Sequence, residues 1–324
     1  MGSWMPLRSP SLASVTVQYG SGRIPNRRWF SPRQNAASKA VSDVNALTQR
    51  VCAWSGFLFA LLFFLGFGVI ARYIPPPLPS NGPEAVATMY RDHANRIRSG
   101  MILSMFGLCF WVPFVAAISV QLKRIEGSHT PLTYAQLGLG ATLPVAFFPP
   151  LYYFLSASFR PERSPESIQM LNDMGWLPFT GIIYAIFVQN LVIGIAVLRD
   201  KRAEPIFPRW YGYFNIWCAL LYCPASLDVF AKTGPIAWNG LLTWWLSLVA
   251  FFLWLVVTIV VILKAITSQQ KEHASRRTAD FDLERAGASP SLIISAETVA
   301  LKDQVQVLAA ELAELRESLS SRYP

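Results

Sequence analysis

Residue types that do chemistry are sparse in this 324-residue chain. Its three histidines, His93, His129 and His273, lie outside the long apolar stretches, and none stands four residues from another histidine or a carboxylate. An intramembrane haem, copper or di-iron centre needs several such ligands at one depth. No metal and no cofactor are therefore expected. Cys52, Cys109, Cys218 and Cys223 sit in or beside apolar segments without a C-x-x-C pair. They read as buried thiols rather than disulfides or metal ligands. P-loop, G-x-S-x-G, H-E-x-x-H and dinucleotide-binding glycine patterns are absent, which argues against an ATPase, serine hydrolase, zinc protease or redox subunit. Asp92-His93 is a possible acid–base pair, but no third residue is placed to orient it. With Arg91, Arg96 and Arg98 it reads first as a solvated interfacial face, binding lipid headgroups at most. No catalytic residue is assigned, and the chain is expected not to be an enzyme.

The polar residues that could do something inside the apolar stretches are neutral. Gln189 and Asn190 lie about 12 Å from the inner end of one apolar segment, and Asn215 about 10 Å from the same side of the next, at 1.5 Å per residue. The two segments are antiparallel neighbours, so Asn190 and Asn215 are expected to hydrogen-bond across them. One reading is structural, worth about 0.6–2 kcal/mol. The other is a polar spot lining a ligand cavity, with Tyr184 as companion. Asp228 is the only acid within a segment, near an outer end where headgroup water is in reach. Transporters coupled to protons or sodium carry ionisable groups at mid-membrane, and none is found here.

The elements that would position these residues are membrane spans. Hydrophobic residues make up 53% of the chain and charged ones 15%, against roughly 25% charged in soluble domains. The run from Ser99 to Leu122 is uncharged and ends at Lys123-Arg124, as a spanning helix does. Gly100, Ser104 and Gly107 give it one small face that a neighbouring helix can approach closely. Comparable runs place six spans at about 52–73, 99–122, 133–159, 176–198, 208–230 and 237–263. A short helix over 83–98, started by Pro83-Glu84, lies on the membrane before the second span. Pro144, Pro149 and Pro150 must kink or break the third, and the carbonyls they free need partners inside the protein. Ser164-Pro165-Glu166 marks a helix start. Of the 28 Lys and Arg residues, 21 fall in the two tails and the loops at 123–132 and 199–209. The positive-inside rule puts that side, and both termini, in the cytoplasm. The net charge of +9 thus has a membrane explanation, and no nucleic-acid partner is expected.

Both tails are polar. Residues 1–50 carry seven Lys/Arg and one acid, Asp43, and read as a disordered basic cytoplasmic tail. Their composition is shared with mitochondrial transit peptides, without the amphipathic periodicity. Residues 265–289 read as a linker. Over 290–321, Ile294, Thr298, Leu301, Val305, Leu308, Leu312, Leu315 and Leu319 alternate in steps of four and three, a heptad with Glu297 and Glu311 at g and Lys302 and Arg316 at e. A parallel homo-oligomeric coiled coil is expected there, with a helix docked on its own subunit as the alternative.

The stretches YRDHANRIR, SVQLKRIEG and FRPERSPESIQMLNDMGW look like those of an uncharacterised family of bacterial six-span membrane proteins, over roughly residues 50–265. The resemblance implies a bacterial inner-membrane location and six spans, and carries over no functional residue. The expected fold is thus an all-α six-transmembrane-helix bundle with a C-terminal cytoplasmic coiled-coil helix. The expected function is binding or passage of a neutral or lipophilic small molecule, without ATP or redox chemistry. The alternative is a non-enzymatic accessory or scaffold subunit of a membrane complex, oligomerising through the coil and docking a membrane-protein partner.

Overall fold

The structure, a computed structural model, describes residues 32–285, with side chains over 45–279. The heptad residues Leu301, Val305, Leu308, Leu312, Leu315 and Leu319 lie outside the described residues. The chain divides into two units after Val41, and residues 42–285 of the second build the helix bundle.

The regular structure among the described residues is all helix, without strands. α1 (Pro32–Phe63) runs into a wider π-helical stretch, Phe64–Ile70. α2 (Pro83–Cys109) and α3 (Trp111–Glu126) come next, joined at Phe110, then α4 (Pro131–Phe159). α5 (Pro165–Gly181) and α6 (Tyr184–Leu198) are separated by Ile182-Ile183. α7 (Arg209–Tyr222) passes into a 3₁₀ stretch, Cys223–Phe230. A π turn at Leu241–Trp245 opens α8 (Leu246–Arg285). Among the described residues five helical segments are long and apolar enough to cross a membrane: Asn45–Ile70, Pro83–Glu126, Pro131–Phe159, Pro165–Leu198 and Leu241–Ala279. α7 is shorter, because Pro224 lacks the N–H that would continue an α-helix.

Several boundaries differ from the sequence reading. α1 is already helical from Pro32, within the part read as disordered tail. The helix over 83–98 is continuous with the second span, bent where His93 leaves helical angles (φ −122°, ψ 18°). The fourth span begins earlier, at Pro165, where the Ser164 hydroxyl caps the Ser167 amide. Residues 265–285, read as a linker, extend α8.

The small face of α2 meets α1. A Cβ built on Gly100 would stand 2.5 Å from the Gly66 carbonyl oxygen, and one on Gly66 2.5 Å from the Gly100 oxygen. Only paired glycines permit that separation. α4 stays helical through its three prolines. Pro144 cannot donate to the Gly140 carbonyl, and the Trp111 Nε1–H takes that carbonyl instead, at 2.9 Å.

Hydrogen bonds sort the helix ends into two groups. In one, Gln121 donates to Gln49 (2.6 Å) and Gln269 (3.3 Å), Arg50 donates to Gln270 (2.8 Å), and Arg124 pairs with Glu272 (3.0 Å). In the other, Trp238 donates to the Pro77 carbonyl (2.8 Å), Gln169 to the Asn81 carbonyl (3.0 Å) and Tyr90 to Asn172 (3.1 Å).

Candidate functional site: an aromatic cavity where helices lose regularity

Between these ends the core is dense with aromatic rings. Phe67 and Phe179 stack face to face, centroids 4.6 Å apart. Phe63, Phe147, Trp176 and Trp244 lie around them with centroids 5.0–6.3 Å from Phe179. Beside this stack lies a cavity of about 140 Å³. Its walls include Phe63, Phe67, Phe147, Phe179, Trp244 and Phe251, with Leu143, Ile186 and Leu248 between them. Phe64, 48% exposed, stands at its rim and links it to the outer apolar surface.

Local backbone irregularities make the room. The π stretch of α1 supplies Phe64 and Phe67, and the π turn before α8 supplies Thr243 and Trp244. The interruption between α5 and α6 supplies Ile182 and Ile183. Regular helices would close more tightly, and single π segments commonly mark functional positions. Pro178 lies in the last turn of α5, and its carbonyl accepts from the Ile182 amide at 3.0 Å. Ile182 also borders an open groove between α4 and α5, whose other walls include Pro149, Pro150, Glu166, Met170 and Asp173.

Around the cavity, polar groups fall into two sets. Thr180 Oγ1 lies within hydrogen-bond distance of both the Trp176 carbonyl and Asp228 and donates its one hydrogen between them, and Thr243 donates to the Ile236 carbonyl. Asp228 is thus buried, with Oδ2 against Thr180 and Oδ1 without a partner. By contrast, Tyr222 Oη, Trp244 Nε1 and Ser247 Oγ are buried without a partner.

The amides singled out from sequence lie elsewhere. Gln189, Asn190 and Asn215 are fully buried. Asn190 and Asn215 do not bond each other: each donates to the carbonyl four residues back, of Ile186 and Tyr211. Asn215 Oδ1 accepts from Trp254 Nε1 at 2.9 Å, so it ties α7 to α8. Gln189 packs near Gly140, where a Cβ would stand 2.7 Å from its Nε2. Both polar atoms of Gln189, and Asn190 Oδ1, have no partner. Tyr184 is 66% exposed on the outer surface and joins neither group. Only Ile186, one turn before Asn190, connects α6 to the cavity. Sequence reading missed the cavity because aromatic residues in a span register as apolar bulk. The available signal was Gly66-Phe67-Gly68 within one span and Gly181 near the start of another.

Other expected features also change. The arginines near His93 are not simply solvated: Arg91 donates to the Pro161 and Arg163 carbonyls, and Arg98 to those of Ser158 and Phe159. Arg163 adds a bond to the Ser156 carbonyl. They cap the end of α4, where cations complement the helix dipole. Of the four free thiols only Cys218 is buried, and Cys109 and Cys223 face outward. Among the described residues no group of three or more His, Cys, Asp or Glu gathers to hold a metal ion.

Searches against protein-family models, curated proteins and solved structures return no match.

Proposed function

We propose that this is a non-enzymatic integral protein of the bacterial inner membrane, with six crossings and both termini cytoplasmic, that binds or passes a neutral lipophilic small molecule in the aromatic cavity. The observation that carries the reading is the cavity itself: about 140 Å³ of apolar space at the meeting of two π segments and a helix interruption. An engineered cavity of about 150 Å³ in another protein stays dry and takes up benzene. Space of this size therefore suits one aromatic ring or a short piece of hydrocarbon chain. The opening beside Phe64 faces the outer surface, the side from which a molecule dissolved in lipid would arrive.

The sixth crossing is Arg209–Phe230. Its 14 α-helical and eight 3₁₀ residues reach about 37 Å at about 1.5 and 2.0 Å per residue. That exceeds the hydrocarbon thickness of about 30 Å. The two groups of hydrogen-bonded ends support the same reading, since Gln49, Gln121 and Gln269 are joined at one and Asn81, Gln169 and Trp238 belong to the other.

Two measurements test this. In lipid nanodiscs, ¹⁹F NMR of hexafluorobenzene should show a saturable bound component with wild-type protein. It should vanish when Leu248→Trp fills the cavity, with folding checked by an unchanged circular-dichroism spectrum. Equal signals from wild type, variant and empty nanodiscs would overturn the binding reading. For topology, single-cysteine variants Lys232→Cys and Lys271→Cys are made with the four native cysteines changed to serine. A membrane-impermeant maleimide applied to intact cells should label the first and spare the second. Labelling of Lys271→Cys would rule out a cytoplasmic C-terminus.

A further inference from the structure

The open groove between α4 and α5 holds about 780 Å³, and its walls are ordered by polarity. Along α5 they run Glu166, Gln169 and Asp173, then Leu177, Pro178 and Ile182. Carboxylates thus stand at the end where α5 begins, and hydrocarbon at the end where it breaks. On α4, Ala146, Pro149, Pro150 and Tyr153 recur in steps of three and four and so share the facing side. Asp173 is the residue that needs an account. Hydropathy starts the fourth span at Trp176 and leaves Asp173 in a loop. The structure starts the segment at Pro165, which puts Asp173 about 12 Å inside it at about 1.5 Å per residue. The side chain is half-buried and accepts from the Asn172 amide at 3.2 Å. Neither Asp173 nor Glu166 has an ion-pair partner among the described residues, and Lys232 acts on Asp173 only through its longer-range field. Glu166 is accounted for in the first turn of α5, where an acid suits the helix dipole. Asp173 lies beyond the reach of that effect. An ionisable group within a membrane segment is costly and calls for a partner.

We propose that this groove binds an amphiphilic amine, its ammonium against Asp173 and its apolar body running past the α4 prolines toward Leu177 and Ile182. Charge complementarity selects the head: two carboxylates without a cation of their own line one end, and an ammonium supplies the missing charge. The order of polarity selects the rest. Leu177, Pro178 and Ile182 carry no hydrogen-bonding side-chain group, so a metal ion or a polyamine would leave the inner half of the groove unfilled. Met170, Met174 and Pro149 are exposed along the groove, which leaves it open to a molecule arriving through the bilayer. The occupant is a free amine rather than a phospholipid, whose phosphate would be held close to the same two carboxylates. The site is distinct from the aromatic cavity and takes a cation where the cavity takes a neutral guest. Ile182 is the residue common to both walls.

The test is a matched pair of probes, ω-trifluorooctylamine and ω-trifluorooctanol, titrated by ¹⁹F NMR against full-length protein in phosphatidylcholine nanodiscs at neutral pH, with empty nanodiscs as the baseline. They share a chain and differ in an ammonium against a hydroxyl. The amine is expected to bind about tenfold more tightly than the alcohol, the scale of a charge-assisted hydrogen bond. Asp173→Asn keeps the shape and an acceptor for Asn172 while removing the charge. It should erase the preference by weakening the amine and leaving the alcohol unchanged. Glu166→Gln alters an exposed side chain outside the core and should weaken the amine by about threefold, as a more solvated charge contributes less. Met174→Trp, at the exposed rim, should obstruct the groove and weaken both probes. The preference should survive Leu248→Trp, which fills the aromatic cavity, so the two sites fail separately. Equal binding of the two probes to wild type would overturn the proposal, as would a preference that persists in both Asp173→Asn and Glu166→Gln. A preference lost in Leu248→Trp but kept in Asp173→Asn would move the amine to the aromatic cavity and equally overturn it. If exchanging phosphatidylcholine for phosphatidylethanolamine abolishes amine binding, the occupant is the lipid and the free amine is ruled out.

Discussion

Pro144 shows how a single residue reaches across the bundle. Having no N–H, it leaves the Gly140 carbonyl open, and Trp111 Nε1 fills the gap from α3 at 2.9 Å. Lipid offers no replacement donor at that depth. Trp111→Phe is expected to keep the ring packing on Phe59 and Phe251 but orphan the carbonyl, lowering stability by about 1–3 kcal/mol. Thermal unfolding in detergent, monitored by circular dichroism, checks it. An unchanged midpoint would mean that water or a neighbouring donor substitutes. The need for a partner was legible in the sequence, because proline's missing donor is a property of the residue itself. The identity of the partner was not, since Trp111 lies 29 positions away and only the packing of α3 on α4 brings it near. The same limit explains the amides. Their burial could be read from position within a span, but whether Asn190 would face Asn215 depended on helix rotation. The structure turns each toward its own preceding carbonyl.

At the scale of elements, local composition predicted contact better than partner. The small face of α2, Gly100 with Ser104 and Gly107, does receive another helix. The match is Gly66 in the π stretch of α1, with oxygen-to-Cβ separations of 2.5 Å in both directions. Gly100→Ala would place a methyl group against a backbone oxygen that cannot rotate away. It is expected to cost about 1–3 kcal/mol by overpacking and to shift the Phe67–Phe179 stack that walls the cavity. Gly138→Ala, within α4 and with nothing within 4 Å, is the control and should be neutral or slightly stabilising. Comparing their detergent melting midpoints decides the point: equal midpoints would show that α1 and α2 tolerate separation. Helix starts were legible where short-range chemistry governs them, as with the Ser164 cap and Pro165. Irregularities inside spans were not. A π turn or the break at Ile182-Ile183 changes a few hydrogen bonds within an unbroken apolar run, and hydropathy is blind to that. The cavity lies at those irregularities, so the candidate site was the least legible part of the fold.

For the whole molecule, the question left by the bundle is what its last helix does beyond the membrane. α8 stays helical to Arg285, well past the polar Ser268 to Glu272 that meet Arg124 and Gln121. The heptad begins at Ile294, nine positions beyond Arg285 in the sequence. We propose that the heptad joins copies of the chain. Confinement to a plane raises the effective concentration of partners, which offsets the shortness of a coil under four heptads. The scaffold reading and the ligand reading then make different demands on one experiment. Truncation after Arg285 removes the heptad and leaves every described contact of the bundle in place. Native mass in detergent should fall from an oligomer to a monomer, while hexafluorobenzene binding in nanodiscs persists unchanged. An oligomer that survives truncation would place assembly in the spans, where the outward row Val51, Trp54, Phe57 and Leu61 on α1 is the face to substitute next. Loss of binding along with assembly would show that the cavity is completed only between subunits. A full-length monomer would overturn the homo-oligomeric coil outright and return the heptad to a different membrane partner or to its own chain.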